Sequence, residues 1–410
     1  MIRHIIKICG NQKAANVWIW LEMIVVSLIL WFVIDTIYSQ VRFYFSPLGH
    51  NINHVYLVKL SSIPGEPLDS LTNYERIQVI GDRIRTYKGV EAVSLSARAI
   101  PYAQGMIGDA VYADTTKEIE SSSINYITPD YFRVFRCMNE NGDTSPLVEA
   151  LSLKKIVING TLKESLYSGH NPIGKKLYVG GNNNSNQREN VVGEVIPFFR
   201  RSEYERPLNY LFISLTPEIV SMVRPSRIEV CVRVSPEDDY DFPERFKREM
   251  SNSLTVGNLF ISDVIPMSIH RKKAIIKNED IVSQNGLIGM FLLLNIFLGV
   301  AGTFWYRTRQ RKNEMGLRIA MGSTRSGLLQ LMIGEGLVLL TLSILPAVII
   351  AFNIGLTDMM NVDRIPFTMN RFLITQGVTV WLMALMVCIG IYFPARSISR
   401  LQPADALRYE

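Results

Sequence analysis

Four apolar stretches divide the chain. One runs from Val17 to Ile37, and three more follow from Gln284 to Tyr306, Leu328 to Phe352 and Phe372 to Phe393. At a rise of about 1.5 Å per residue, each is long enough as a helix to cross a hydrocarbon core of about 30 Å. Between the first and second lies a long polar segment, Tyr38 to Ser283. The predicted fold class is an integral membrane α-helical protein with four transmembrane helices. A large extracytoplasmic mixed α/β domain stands between helices 1 and 2. The first span contains Glu22 and Asp35. A central carboxylate costs about 2.5–3.5 kcal/mol on insertion, against a gain of about 0.3–0.6 for each Leu, Ile, Val or Phe. Thirteen such residues and the off-centre placing of both acids keep the span viable. Asp35 is expected at the interface, and Glu22 as a snorkelling or paired acid a turn inside the inner face. The apolar run is too long for a signal peptide and no small-x-small site follows it, so an uncleaved anchor is expected. The third span holds Glu335, read as an interhelical bonding or packing residue, and Pro346, which predicts a kink. Gly286, Gly289, Gly299 and Gly302 suit close helix approach.

Charge sets the direction. Arg3, Lys7 and Lys13 stand at the N-terminal side of the first span with no acid. Between the second and third spans stand Arg307, Arg309, Arg311, Lys312, Arg318 and Arg325, against Glu314 alone. Asp358 and Asp363 balance Arg364 and Arg371 in the next loop, and the tail carries Arg396, Arg400 and Arg408. Short cytoplasmic loops concentrate Lys and Arg, while long translocated domains are exempt from the rule. The expected layout is a cytoplasmic N-terminus over 1–16, a first span over 17–37, an outer domain with stalk ends over 38–283 and a second span over 284–306. A cytoplasmic segment over 307–327, a span over 328–352, an outer loop over 353–371, a span over 372–393 and a cytoplasmic tail over 394–410 complete it. The net charge of +6 follows from this asymmetry and gives no support to nucleic-acid binding.

Within the outer domain, His54–Leu60 reads as a strand. Thr72-Asn73-Tyr74-Glu75 reads as a capping box opening a helix whose apolar face is Ile77, Ile80, Ile84 and Tyr87. Val93–Ser96 is the next strand, completing a β-α-β unit. A second unit comprises strand Ile228–Val234, a helix announced by Ser235-Pro236-Glu237-Asp238-Asp239 with Phe242, Phe246 and Met250 as its buried stripe, and strand Leu259–Val264. These form a lobe of about 50–118 plus 226–266. Strands at Ile156–Asn159, Lys176–Val179, Val191–Val195 and Leu211–Ser214 form an inserted β-rich lobe of about 119–225, with a hairpin tip at Gly180–Asn186.

The chain offers little catalytic chemistry. Gly169-His-Asn-Pro-Ile-Gly174-Lys175-Lys176 approaches a phosphate-binding P-loop, but Lys176 stands where a Ser or Thr must hold Mg²⁺. With no proper P-loop, the expectation is a non-enzyme with no cofactor and no resident metal. His50 and His54 have helical i, i+4 spacing but lack a metalloprotease carboxylate. Cys9 is expected inside and Cys388 in a span, which leaves Cys137 and Cys231 on the same outer side. A disulfide between them stays open, with two buried free thiols the preferred reading.

The segment Arg309-Gln-Arg-Lys-Asn-Glu314-Met-Gly316-Leu-Arg318-Ile-Ala320-Met-Gly322-Ser resembles the cytoplasmic loop of the MacB/FtsX-like permeases of ABC transporters. Gly334-Glu335-Gly336, Pro394-Ala395-Arg396 and Leu401-Gln-Pro403-Ala404-Asp-Ala406-Leu407-Arg408 are similar to further family motifs. Thr128-Pro129-Asp130-Tyr131-Phe132 and Asn171-Pro172-Ile173-Gly174-Lys175 resemble its periplasmic core domain. Gln402 and Met315 depart from the usual residues. The resemblance implies a permease subunit that couples ATP hydrolysis by a separate ATPase subunit to motion of its periplasmic domain, for export or extrusion of a substrate. It implies a coupling helix within 307–327, with Glu314 and Arg318 contacting the ATPase and Arg309, Arg311 and Lys312 nearby. The 410 residues hold no fused ATPase, so a stand-alone subunit is expected, paired with an identical or paralogous permease within the bacterial inner membrane and its lipid. By analogy the partners extend to a periplasmic adaptor and an outer-membrane channel. The alternative is an FtsX-like regulator that activates a cell-wall partner without transport. A membrane receptor is a third class, disfavoured by the lack of a cytoplasmic output domain.

Overall fold

In the computed structural model, which describes residues 13–63, 70–103, 105–113, 120–180, 188–223, 227–357 and 365–399, the apolar stretches are helices and the segment between the first two carries a ten-stranded sheet. Two compact units result, Tyr44–Glu279, and Met1–Phe43 with Asp280–Glu410. Helix α1 (Lys13–Tyr44) precedes the sheet. The first β-α-β passage is β1 (Val55–Ser62), α2 (Ser70–Arg85) and β2 (Val90–Ala97). Then come β3 (Ile107–Tyr112), β4 (Glu120–Ile127), α3 (Tyr131–Val134), α4 (Ser145–Ser152), β5 (Ile156–Asn159) and α5 (Gly160–Tyr167). They are followed by β6 (Lys176–Val179), β7 (Arg188–Ile196), β8 (Tyr210–Ser214) and α6 (Pro217–Met222). The second passage is β9 (Ile228–Val234), α7 (Phe242–Met250) and β10 (Leu259–Pro266).

The two passages interleave. The order β10-β1-β9-β2 is antiparallel throughout, so each β-α-β pair is split by a strand of the other, the ferredoxin-like arrangement. Side-chain alternation feeds a core on each face. Tyr56, Val58 and Leu60 of β1 pack with Ile77, Ile80 and Ile84 of α2 and Phe242 and Phe246 of α7. Val55 and Leu57 point the other way, among Phe132, Phe135, Leu147 and Leu151 of the α3–α4 region. Each fully buried Ile or Phe contributes roughly 1.5–3 kcal/mol, so the three isoleucines of α2 alone fix its roll on the sheet.

Between β2 and β9 the sheet closes on itself. β4 pairs with β3, then β6, β7, β5 and β8 follow in order, and β8 returns to β4 in parallel. Val111, Ile124, Ile158, Leu177, Val192 and Leu211, one from each strand, form a shared core with Leu162 and Leu166 of α5. Asn159 starts that helix, its side chain accepting from the Leu162 amide at 3.2 Å. β3 belongs to this ring, so the chain leaves the first lobe before Ile107 rather than at 119.

Several local expectations give way to tertiary contacts. No helix starts at Ser235. One of the acids expected in its first turn is engaged elsewhere: Asp239 accepts from Tyr56 Oη at 2.6 Å and pairs with His54 Nδ1 at 2.9 Å. α7 begins only at Phe242, with Pro243 in its first turn. Thr72 lies inside α2 rather than capping it. The Gly169–Lys176 run links α5 to a strand, and no helix follows it, so it has no P-loop geometry. His50 and His54 do not share a helix. Burial pushes His50 down to about 4. Among the described residues no His, Cys, Asp or Glu group has a metal-binding arrangement. Cys137 and Cys231 are separate, buried free thiols, and burial pushes Cys137 up to about 12. Cys9 and most of the Gly180–Asn186 tip lie outside the described residues.

Among the described residues, four helices are long and apolar enough to cross a membrane, over Val17–Tyr44, Gly286–Gln310, Arg325–Gly355 and Met369–Arg396, and they fall in the other unit. They belong to α1, α8 (Met267–Gln310), α10 (Arg325–Gly355) and α11 (Met369–Ser399), with the short α9 (Lys312–Ala320) between α8 and α10. α10 runs on through Pro346. Gly286, Gly299 and Gly302 face open space within one copy. Gly289 lies against Val33 and Ile37 of α1, both at 3.6 Å from where a Cβ would stand, and tighter approaches fall at Gly336, 2.3 Å from Ile391, and at Gly390, 3.0 Å from Ala301.

Candidate functional site

The charged segment after α8 and the lone glutamate of α10 meet. Arg311, at the N-cap of α9, lies between two carboxylates. Its Nε donates to Glu314 Oε2 at 2.8 Å, and its Nη1 donates to Glu335 Oε2 of α10. Arg318, one turn along α9, donates to Glu314 Oε1 at 2.8 Å. The side chains of Arg311 and Glu335 are only 12% and 5% exposed, so this is an inward-facing ion pair with a second carboxylate at its rim. The local sequence explains the fork: spacings of three and four residues put Arg311, Glu314 and Arg318 on one helix face. A planar guanidinium can serve two carboxylates at once. Burial alone would raise the Glu314 carboxyl, but Arg311 and Arg318 outweigh it and hold the group below the usual carboxylate range. Burial likewise works against the Arg311 charge, and its two acids more than restore it. A small hollow of about 20 Å³ lies beside the pair, between Phe304, Thr308, Met332 and Ile391, and has room for about one water.

Not every predicted residue joins this cluster. Arg309 is exposed and stacks over Trp305 at 5.8 Å. Lys312 opens α9, and its side chain lies outside the described residues. Glu22 sits apart in α1, accepting from Thr303 Oγ1 of α8 at 3.0 Å, which makes it a link between two spans. Leu317 of α9 and its C-cap Met321 are 52% and 77% exposed, an apolar pair left uncovered among the described residues.

A second ion pair escapes sequence reasoning. Asp35, expected near the membrane interface, is fully buried among the helices and is gripped by Arg371 of α11 through two bonds, Nε to Oδ1 at 2.9 Å and Nη2 to Oδ2 at 2.5 Å. Arg371 also donates to the Ile365 carbonyl at 2.7 Å. Trp31 stands one turn before Asp35, donates to Thr375 Oγ1 at 3.1 Å and packs on Phe372. The available signal was an acid near the end of the first span and a base at the start of the fourth, both at the same expected membrane level.

Residues 286–403 match the family described as FtsX-like permease C-terminal. Over 269 residues the chain is 23% identical to the macrolide export ATP-binding/permease protein MacB of Bordetella avium (strain 197N), an alignment that takes in 62% of this chain. The aligned part spans 38% of that protein. Among solved structures, the extracellular domain of the noncanonic ABC-type transporter YknZ from Gram-positive bacteria aligns at 16% identity. It covers 50% of this chain and 100% of its own, with a TM-score of 0.31. The periplasmic region of MacB from Actinobacillus actinomycetemcomitans aligns at 14% identity over 56% of this chain and 95% of its own, with a TM-score of 0.34.

Proposed function

We propose that this chain, whose residues 286–403 match the FtsX-like permease C-terminal family, is an ABC transporter permease of the MacB/FtsX type and transmits the work of a separate ATPase subunit to its large extracytoplasmic unit. The observation that carries the reading is the chain of contacts from Glu314 through Arg311 to Glu335. A displacement of α9 is passed to α10 through a buried ion pair rather than through a slack loop. Leu317 and Met321 supply the apolar part of a docking face, and Arg309 and Arg318 supply charge beside it. Positive-inside asymmetry supports a cytoplasmic α9 and cytoplasmic termini, and the likeness to a bacterial permease supports residence in a bacterial inner membrane. The exposed apolar face of α8, with Leu287, Met290, Phe291 and Leu294, supports pairing with a second permease within lipid. The cargo is exported or extruded from the far side by motion of that unit, without the ATPase activity residing in this chain.

The test is affinity purification of the full chain from native membranes, followed by an ATPase assay. A P-loop ATPase should co-purify, and Leu317→Glu/Met321→Glu should release it without changing the melting temperature. Glu335→Gln should keep the ATPase bound while reducing its stimulation by the permease. Recovery of the intact chain without any ATPase in several mild detergents would sink the reading. Lysis of the cell wall without substrate flux would move it to the regulatory alternative.

A further inference from the structure

We propose that the Tyr44–Glu279 unit binds an amphipathic anion, a phosphate or carboxylate bearing a short apolar chain, in the cleft between β1, the start of α8 and the turn after β2. The cleft encloses about 460 Å³, and a second hollow of about 300 Å³ shares Arg98 and Arg227 in its wall. Both volumes fall in the range of roughly 300–1,000 Å³ that small-molecule sites occupy. Lys59 stands in the wall of the larger hollow with His270, whose protonation is opposed first by burial and then by the charges of Lys59 and Lys273. Among the described residues, Lys59, Arg98 and Arg227 carry no ion pair.

One acid, Glu229, faces the same space, but it is engaged. Its Oε2 accepts from Ser96 Oγ at 2.9 Å and from the amides of Ala99 at 2.9 Å and Ile100 at 3.1 Å. That carboxylate therefore shapes the turn. Arg98, at the turn's apex, holds a left-handed φ of 53°, and its carbonyl accepts from the buried Arg201 at 2.8 Å. A non-glycine residue in that region is strained and persists where its surroundings over-determine it. Here Glu229 and Arg201 fix the backbone from both sides, which leaves the Arg98 guanidinium aimed at the hollows.

Apolar and polar groups share the remaining walls: Leu57, Ile100 and Ala103 stand beside Ser61 and Ser262 in the larger hollow, and Ile107, Ile219 and Val223 beside Tyr126 in the smaller. A bare inorganic anion would leave these walls wet, and a neutral lipid would leave two arginines unmatched. Guanidinium forks recognise planar carboxylate and phosphate edges, so an anionic head at the Arg98–Arg227 junction with its chain in either hollow meets both requirements.

The experiment uses the full chain in nanodiscs of zwitterionic lipid, without nucleotide or ATPase, so its failure is distinct from failure of the coupling reading. Octyl phosphate is titrated beside inorganic phosphate and octyltrimethylammonium, and a diazirine-tailed octyl phosphate locates the site by mass spectrometry. Saturable binding of octyl phosphate and labelling around 98–107 and 219–229 are expected. Arg98→Gln/Arg227→Gln should lose affinity by about tenfold or more, as two charge-assisted contacts are removed, with its melting temperature unchanged. If that variant does not fold, Lys59→Glu, on an exposed side chain, must weaken binding severalfold. The proposal is overturned if octyl phosphate does not bind, if labelling falls elsewhere, or if the variants bind like the parent. Equal binding of inorganic phosphate or of the cationic probe overturns it as well.

Discussion

Buried arginines in the two units are satisfied by different partners. In the sheet unit, Arg233 donates to the carbonyls of Val134 at 2.6 Å, Asn53 at 2.9 Å and Asn51 at 2.8 Å. Arg201 donates to the carbonyls of Gly105 and Arg98, both at 2.8 Å, and to Asn125 Oδ1 at 2.6 Å. In the helical unit, Arg311 and Arg371 are met by carboxylates. The reason is the supply of acceptors. Turns and strand ends leave carbonyls unspent, and those can surround a guanidinium. A membrane helix uses its carbonyls within itself, so a buried cation there needs an acid. The one carbonyl that Arg371 reaches, Ile365, precedes its helix rather than belonging to it.

That contrast can be broken or sharpened by substitution. The largest effect is expected for Arg371→Leu, which strands the buried Asp35 carboxylate. Loss of one partner of such a pair costs about 3–5 kcal/mol, while replacing both, Asp35→Leu/Arg371→Leu, should recover most of it. Thermal unfolding in detergent reads both variants, and a single substitution as mild as the double would refute the dependence on the acid. Arg233→Met leaves three carbonyls without a donor and should cost about 2–3 kcal/mol in the same measurement. Arg233→Lys should recover less than half, because one ammonium cannot span the fork.

A smaller effect is expected at Glu314, which is partly exposed and so discounted for solvent. Its depressed folded pKa means that its contribution is present above the ordinary carboxylate value of about 4.3 and is lost as pH falls through the folded value. At neutral pH, Glu314→Gln should cost at most about 1 kcal/mol. Between pH 6 and pH 3, roughly spanning the carboxylate range, the parent should lose more thermal stability than this variant, and parallel losses would contradict the pairing. The smallest change belongs to Glu22→Gln. An amide oxygen can still accept from Thr303, so about 0.5 kcal/mol or less is expected.

Much of the fold was legible because it is local. Strand β9 was readable from its alternation, β5 and β6 from the turn signals around them, and the isoleucine stripe of α2 from its helical spacing. The start of α7 was not. Ser-Pro followed by acids has the composition of a helix start, yet His54 and Tyr56 draw Asp239 into the sheet edge and the helix waits for Phe242. The candidate site was legible as a charged segment and an isolated Glu335. That Arg311 joins them was not, because both spacings are neutral about which partner an arginine selects.

Hydrophobic runs long enough to span a bilayer, their charge asymmetry and the periodicity of strands and helices are properties of neighbouring residues, and the sequence alone determined them. Closure of β3 to β8 into a ring, the grip of Asp35 on Arg371 across 336 positions and the close approach at Gly336 were decided only by tertiary structure. Each depends on which distant surfaces meet. A buried charge is stabilised by the partner that packing brings within about 3 Å, and not by any residue beside it in the chain.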